Sequence, residues 1–234
     1  MKNFSVCLSP YLLPIYELEQ KTVVVADILR ATSCMVTAIA CGVERFIPFE
    51  KVEDCRQMGQ HGFLRGGERN SVRIDGFELG NSPFDYMELQ GKKVAMTTTN
   101  GTQAIHQSAK AKQVLIGAFL NLSALADFVA QQNNDVLVVC AARKNIPNLE
   151  DTLFAGALAH KLKNTFLIKD DNALLARYLF ENNQNDIQAF VSQATHYQRL
   201  SKIEGLEKDL DFCFNFDVYD SVPIFAGEQI VQND

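Results

Sequence analysis

At 234 residues with 47% hydrophobic side chains, the chain has ample length for a real core and reads as one large globular domain or two small ones. Its 22 basic and 28 acidic residues include no Lys/Arg cluster that would track a phosphate backbone, which argues against a nucleic-acid partner. No apolar run approaches the length of a membrane span, and MKNFSVCLSP lacks the apolar stretch of a signal peptide, so the expectation is a cytoplasmic protein without a membrane partner. The cysteines (Cys7, Cys34, Cys41, Cys55, Cys140, Cys213) show no CxxC spacing and fall mostly in apolar runs, as small buried thiols do in a reducing compartment.

In chain order, TVVVADI (Thr22 to Ile28) is continuous and β-branched, the pattern of a strand covered on both faces. ATSCMVTAIACG follows as a helix closed by Gly42, and VERFIPF as the next strand. RGGERNSVRIDGFELGNSPF, Arg65 to Phe84, reads as one long irregular loop, a feature that in a compact domain is usually functional or mobile. KKVAMTT, QVLIGAF and DVLVVCA are further strands, each followed by a helical pattern: TQAIHQSAKA, LSALADFVAQQ capped by Asn121, and LEDTLFAGALAHKL. From Asp171 to about Leu210 the pattern is helical, and DFCFNFDVYDSVPIF returns to strand chemistry, with Pro223 marking an edge or a strand end. The alternation predicts a three-layer α/β/α fold with a mainly parallel or mixed sheet.

In such sheets ligands bind beyond the carboxyl ends of the strands, so the residues delivered there are the candidates. The first strand gives Asp27, Arg30, Thr32 and Ser33; the TTTNGT segment gives Thr98, Thr99, Asn100, Gly101 and Thr102; CAARKN gives Arg143 and Lys144, with Glu150 and Asp151 opening the next helix. The long loop adds Glu68, Arg69, Asn81 and Ser82. Asp27 reads equally as a helix cap and as a metal ligand or acid/base, with Arg30 beside it favouring the second. Glu68 and Arg69, taken alone, read as an exposed pair in a solvated loop. Asn100-Gly101, between a strand and a helix, reads as an anion-binding turn, although GxxxxGK[ST] is absent. Glu150 and Asp151 read first as favourable charge at a helix N-terminus. The four histidines show no ligand spacing, which argues against zinc, and neither GxSxG nor a catalytic-cysteine signature is present.

Acids suited to a hard cation, arginines suited to oxyanions and hydroxyl donors between them fit a Mg2+-dependent enzyme acting on a small phosphorylated or carboxylated anion. Two alternatives stand beside it. One is a haloacid-dehalogenase-type phosphatase with Asp27 as nucleophile, although Leu29 stands where that pattern wants a second Asp. The other is a non-catalytic anion-binding regulatory protein whose acids only cap helices.

Taken together, VVVADILRATS, GGERN, GFELGNSP, TTTNGT and LEDTLFAGAL, in this order, resemble the 2-phosphosulfolactate phosphatase family over nearly the whole chain. The resemblance implies one phosphatase domain over residues 1–234, with the helical segment near 171–210 packed against it, and an α/β fold of its own strand order. It implies Mg2+-dependent hydrolysis of 2-phosphosulfolactate, or a related 2-phospho-2-hydroxy acid, a step in coenzyme M biosynthesis, and it leaves a homodimer open. Carried over by position, it implies catalytic roles for Asp27, Arg30, Glu68 and Arg69, and Mg2+ ligation by Asp27, Glu68 and Asp151. Substrate contacts are implied for Ser33, Asn81, Ser82, Thr98, Thr99, Asn100, Gly101, Thr102 and Arg143. Two departures from the family pattern stand out: Ala142 occupies an expected glycine, and Ser71 follows Asn70 where another glycine is expected.

Overall fold

The computed structural model describes residues 1–233. Its strands and helices, in chain order, are β1 (Lys2–Cys7), β2 (Thr22–Ala26), α1 (Ala31–Ala40), β3 (Arg45–Phe49), α2 (Val52–Gln57), β4 (Leu64–Arg69), β5 (Val72–Arg73) and β6 (Lys93–Thr97). There follow α3 (Gly101–Gln107), β7 (Gln113–Gly117), α4 (Leu122–Gln131), β8 (Val136–Cys140), α5 (Leu149–Leu162), β9 (Phe166–Leu167), α6 (Asp171–Asn183), α7 (Ile187–Val191), α8 (Thr195–Leu200), α9 (Glu207–Cys213), β10 (Pro223–Ala226) and β11 (Gln229–Gln232).

All eleven strands form one sheet in the order β5-β4-β6-β3-β11-β10-β7-β2-β8-β1-β9, within a three-layer α/β fold. Two parallel blocks, β4-β6-β3 and β7-β2-β8-β1-β9, are joined through the antiparallel β10–β11 hairpin. Each of the three pairings from β3 to β7 is antiparallel, so the two blocks run in opposite directions. Their carboxyl ends nevertheless meet, because the sheet coils. Helix α3 packs against both β2 and β3, which three intervening strands would hold about 19 Å apart on a flat sheet. Helix α1 packs against β3, β11, β10 and β7 and fills the hollow of that coil.

Burial follows the sequence pattern. Val23, Val24 and Val25 of β2 and Val136 to Val139 of β8 are fully buried, and Leu153, Phe154 and Leu158 of α5 join the same core. A smaller cluster of Cys55, Phe63, Phe77 and Ala95 lies beside β4 and β6. Helix α1 ends as expected at Gly42, whose φ is 81°. The Gly42 N–H bonds Ile39 O and the Val43 N–H bonds Ala38 O, both at 3.0 Å, which is the Schellman closure. Five of the six cysteines are buried, and all six are free thiols. No helix among the described residues is long and apolar enough to cross a membrane.

Three local expectations are corrected. The stretch from Arg65 to Phe84 is not one irregular loop: it contributes most of β4 and all of β5 to the sheet. Gly66 and Gly67 look like turn residues but serve close packing, since a Cβ on Gly67 would stand 2.0 Å from Thr97 O and one on Gly66 2.4 Å from the Tyr86 hydroxyl. Asn121 does not cap α4 through its side chain; its Oδ1 accepts from Ala118 N (3.0 Å) and its amide donates to Ser221 O (2.9 Å). The tail stays helical through Cys213, and its later strands sit at the centre of the sheet, where Pro223 opens β10 and needs no ladder donor there. The stretch expected to be helical near 171–210 is helical, as the separate helices α6, α7, α8 and α9, of which α6 packs on α5 and β1.

Candidate active site

The carboxyl ends of β2, β4, β6 and β8 converge with α8 on a cavity of about 60 Å³. At about 10–15 Å³ for each water, that is room for about four to six waters. Asp27, Arg30, Glu68, Asn81, Thr98, Thr99, Asn100 and Arg143 line it, as do Asn70, Ser71, Lys144, His196 and Arg199.

Asp27 stands one residue beyond β2, 8% exposed. Its Oδ1 accepts from Ala31 N (3.3 Å), the first residue of α1, and its own N–H donates to Thr32 Oγ1 (2.9 Å). Asp27 thus does part of a cap's work with one oxygen. Burial pushes its carboxyl up to about 6, with Glu68 and Glu150 adding to the rise and His196 and the Ala31 N–H opposing it.

Glu68, at the end of β4, is equally buried. Its Oε1 accepts from Thr99 N (3.0 Å) and Thr99 Oγ1 (2.8 Å), and its Oε2 from Ser71 N (2.7 Å), so it ties the β4 turn to the segment after β6. It is not the exposed partner of Arg69. The Arg69 guanidinium donates to Glu68 O (2.7 Å) and Thr97 Oγ1 (3.0 Å), away from the cavity lining.

Thr98 and Thr102 close the start of α3 reciprocally. Thr102 N donates to Thr98 Oγ1 (3.2 Å), and Thr98 N to Thr102 Oγ1 (3.4 Å). Gly101 lets this turn lie against β2, because a Cβ there would stand 2.6 Å from Ala31 Cβ and 2.8 Å from Asp27 Oδ2. Ser33 donates to Ile28 O (2.9 Å) and helps hold the turn after β2. Asn81 Oδ1 accepts from the Cys34 thiol (3.4 Å).

Arg30 is 4% exposed and pairs with Asp209 of α9. The other Asp209 oxygen accepts from Ser82 Oγ (2.6 Å), so Arg30, Ser82 and α9 form one buried polar unit. Asp151 uses both oxygens on backbone donors, Ile28 N at 2.9 Å and Ala142 N at 3.2 Å, fastening the exits of β2 and β8 together. It does not line the cavity, and burial together with Glu150 and Asp27 holds its carboxyl well above the usual range.

The cations left in the cavity are Arg143, Lys144 and Arg199. Among the described residues, neither Arg143 nor Arg199 has a carboxylate within ion-pair distance. Arg199 donates to Ser71 Oγ (3.1 Å) while its Nε is buried without a partner among the described residues. Burial and then Arg143 depress its pKa, as befits a guanidinium beside a like charge. Sequence reasoning missed Arg199, His196, Asp209 and the role of Glu150. The spacing of His196 and Arg199, three residues apart, puts both on one helix face, but nothing in the sequence ties that face to β8. Among the described residues, no group of three or more His, Cys, Asp or Glu side chains is placed to hold a metal by protein ligands alone.

The sequence profile of the 2-phosphosulpholactate phosphatase family matches residues 7–228. A "Probable 2-phosphosulfolactate phosphatase" of Clostridium novyi is 40% identical, with 92% of this chain and 94% of that protein covered. Proteins of the same name from Caldanaerobacter subterraneus (37% identical, 88% of each chain) and Thermotoga maritima (37%, 92% and 93%) are similar. On the profile and these relatives, the chain belongs to the 2-phosphosulfolactate phosphatase family.

Proposed function

We propose that this chain is a Mg2+-dependent phosphatase that releases phosphate from 2-phosphosulfolactate, or from a related 2-phospho-2-hydroxy acid. The observation that carries the reading is one small cavity with carboxylates at the β2 and β4 ends and two arginines that have no carboxylate partner among the described residues. A substrate with a phosphate at one end and a second acid group at the other complements that division of charge.

The donor set suits Mg2+ in part. Asp27 lines the cavity with Oδ2 accepting no hydrogen bond among the described residues, and Glu68 lines the same space. Mg2+ binds through one or two carboxylates and completes its shell with waters and substrate oxygens, so an all-protein cage is not required. Asp27 would hold the ion through Oδ2, and Glu68 would hold it with oxygens that also accept from Thr99 and Ser71; Asp151, which does not line the cavity, would position the turns that present them. Bound there, Mg2+ supplies charge neutralisation at the phosphoryl oxygens and a polarised water.

The protein's own contribution is orientation. Arg143 and Arg199 would take the carboxylate or sulfonate head, a role for which a planar guanidinium is better fitted than an ammonium. Arg30, neutralised by Asp209, would hold the turn after Asp27 rather than carry free charge. Leu29 in place of a second Asp leaves Asp27 without the partner that a nucleophilic Asp uses, which favours direct attack by water.

The test is phosphate release by the purified protein with Mg2+, from 2-phosphosulfolactate and from a phosphate monoester lacking a second acid group. Arg199→Ala should raise KM for the diacid about 10- to 100-fold, the loss of a charged hydrogen-bonding partner, and change the simple monoester little. Equal losses on both esters would contradict the placing of the acid head.

A further inference from the structure

A second polar unit reaches the cavity without serving the binding roles above. Glu150, the second residue of α5, is fully buried. Its Oε1 accepts the Nδ1–H of His196 at 2.5 Å, while its Oε2 has no donor among the described residues, so the carboxylate is directed at one hydrogen bond. His196 is 9% exposed and lines the cavity from α8, together with Asp27 and Arg143. With Nδ1–H committed to Glu150, Nε2 is the nitrogen that remains for the cavity. The two residues are 46 positions apart, so this contact exists only through the packing of α8 against the start of α5.

We propose that His196, oriented by Glu150, is the general acid of the hydrolysis; the inference rests on the phosphatase reading above. An aliphatic 2-hydroxy acid leaves phosphorus as a poor alkoxide and needs a proton as it departs. The arginines of the cavity do not give up protons, and Asp27 and Glu68 belong to the phosphate end. His196 is the remaining buried side chain of the lining with suitable chemistry. The acid is the imidazolium, with Nδ1–H on Glu150 and Nε2–H towards the cavity: the ester P–O bond breaks with its electron pair passing to the ester oxygen, and the Nε2 proton moves to that oxygen to give the free hydroxyl and a neutral imidazole. A water oxygen forms the new P–O bond and releases one proton to solvent, and the imidazole regains one from solvent. The buried Glu150 carboxylate stabilises the imidazolium and holds the ring in place, which makes it a positioning residue.

Leaving-group dependence tests this. His196→Gln, His196→Ala and Glu150→Gln are compared with the unaltered protein on 2-phosphosulfolactate and on acetyl phosphate, whose departing carboxylate needs no proton. The His196 variants should lose about 10²- to 10⁴-fold in kcat on the first and less than about tenfold on the second. Glu150→Gln should show the same selectivity with a smaller loss, and KM should stay near its original value in the folded variants. Equal losses on both substrates, in variants whose circular dichroism is unchanged, would overturn the acid role while leaving the phosphatase reading intact. An unaltered protein that cleaves neither compound would overturn both.

Discussion

Asp27 places a carboxylate where the fold can barely tolerate one. Its pKa is raised from 3.8 to about 6 by burial, so the folded metal-free protein holds this proton to a higher pH than the unfolded chain does. The sign follows: the penalty is absent below about 3.8, grows through 6, and reaches about 3 kcal/mol at neutral pH. Asp27→Asn should therefore stabilise the metal-free protein at pH 7 by up to about 3 kcal/mol, a gain that fades towards pH 4, while phosphatase activity is lost. Thermal melts at the two pH values check this, and a variant less stable at pH 7 would contradict it. The two expected glycines that are absent also find their explanation at this scale. Ala142 (φ 58°) and Ser71 (φ 68°) both adopt the left-handed conformation, so each departure keeps the backbone path at a cost. Ala142→Gly should stabilise the protein by about 0.5–1 kcal/mol, the relief of that strain less the added chain entropy. Ser71→Gly should gain similarly in stability yet weaken substrate binding, because Arg199 loses the hydroxyl that positions it. The sequence exposes the missing glycines; it does not say that the replacements keep a glycine-like φ.

Strand β2 and helices α1 and α5 were legible because their apolar patterns are long, and because Gly42 and Asn148-Leu149 bound them cleanly. Strand β4 was not, since Gly66 and Gly67 imitate a turn while answering to the neighbouring Tyr86 and Thr97. The breaks in the helical stretch had local signals, as Asp170 and Asp186 accept from Ala173 N (2.9 Å) and Ala189 N (3.0 Å), the N-cap geometry that starts α6 and α7. The junction of β6 and α3, legible as a strand running into a helix through Asn-Gly, lines the cavity with Thr98, Thr99 and Asn100; not legible was its close approach to the turn after β2, with Thr98 rather than Asn100 closing the start of α3. Gly101→Ala should lower stability by about 1–3 kcal/mol and displace the Asp27 carboxylate, since Ala31 Cβ and Asp27 Oδ2 occupy the space. Melting temperature and activity should fall together; an unaltered activity would show that the junction tolerates the shift.

At the scale of the whole molecule, the decisive contacts are long-range. Arg30 meets Asp209 across 179 positions and His196 meets Glu150 across 46, and no periodicity in a single sequence announces either pair. The same holds for strand order: nothing in DSVPIF tells that β10 and β11 will separate two oppositely directed parallel blocks. A chain ending before Val222 would lose that hairpin and with it the pairings to β3 and β7, so it should no longer unfold as one cooperative unit in denaturant. The coiled sheet is what brings Asp27, from one block, against Glu68 and Thr99, from the other, and the proposed Mg2+ site depends on that meeting. The most direct test is phosphate release from 2-phosphosulfolactate after exhaustive treatment with EDTA, followed by addition of Mg2+ or Zn2+. Activity should fall to background and return with Mg2+ more fully than with Zn2+. Full activity in the chelated protein would contradict the metal assignment, and no release by folded protein supplied with Mg2+ would contradict the function itself.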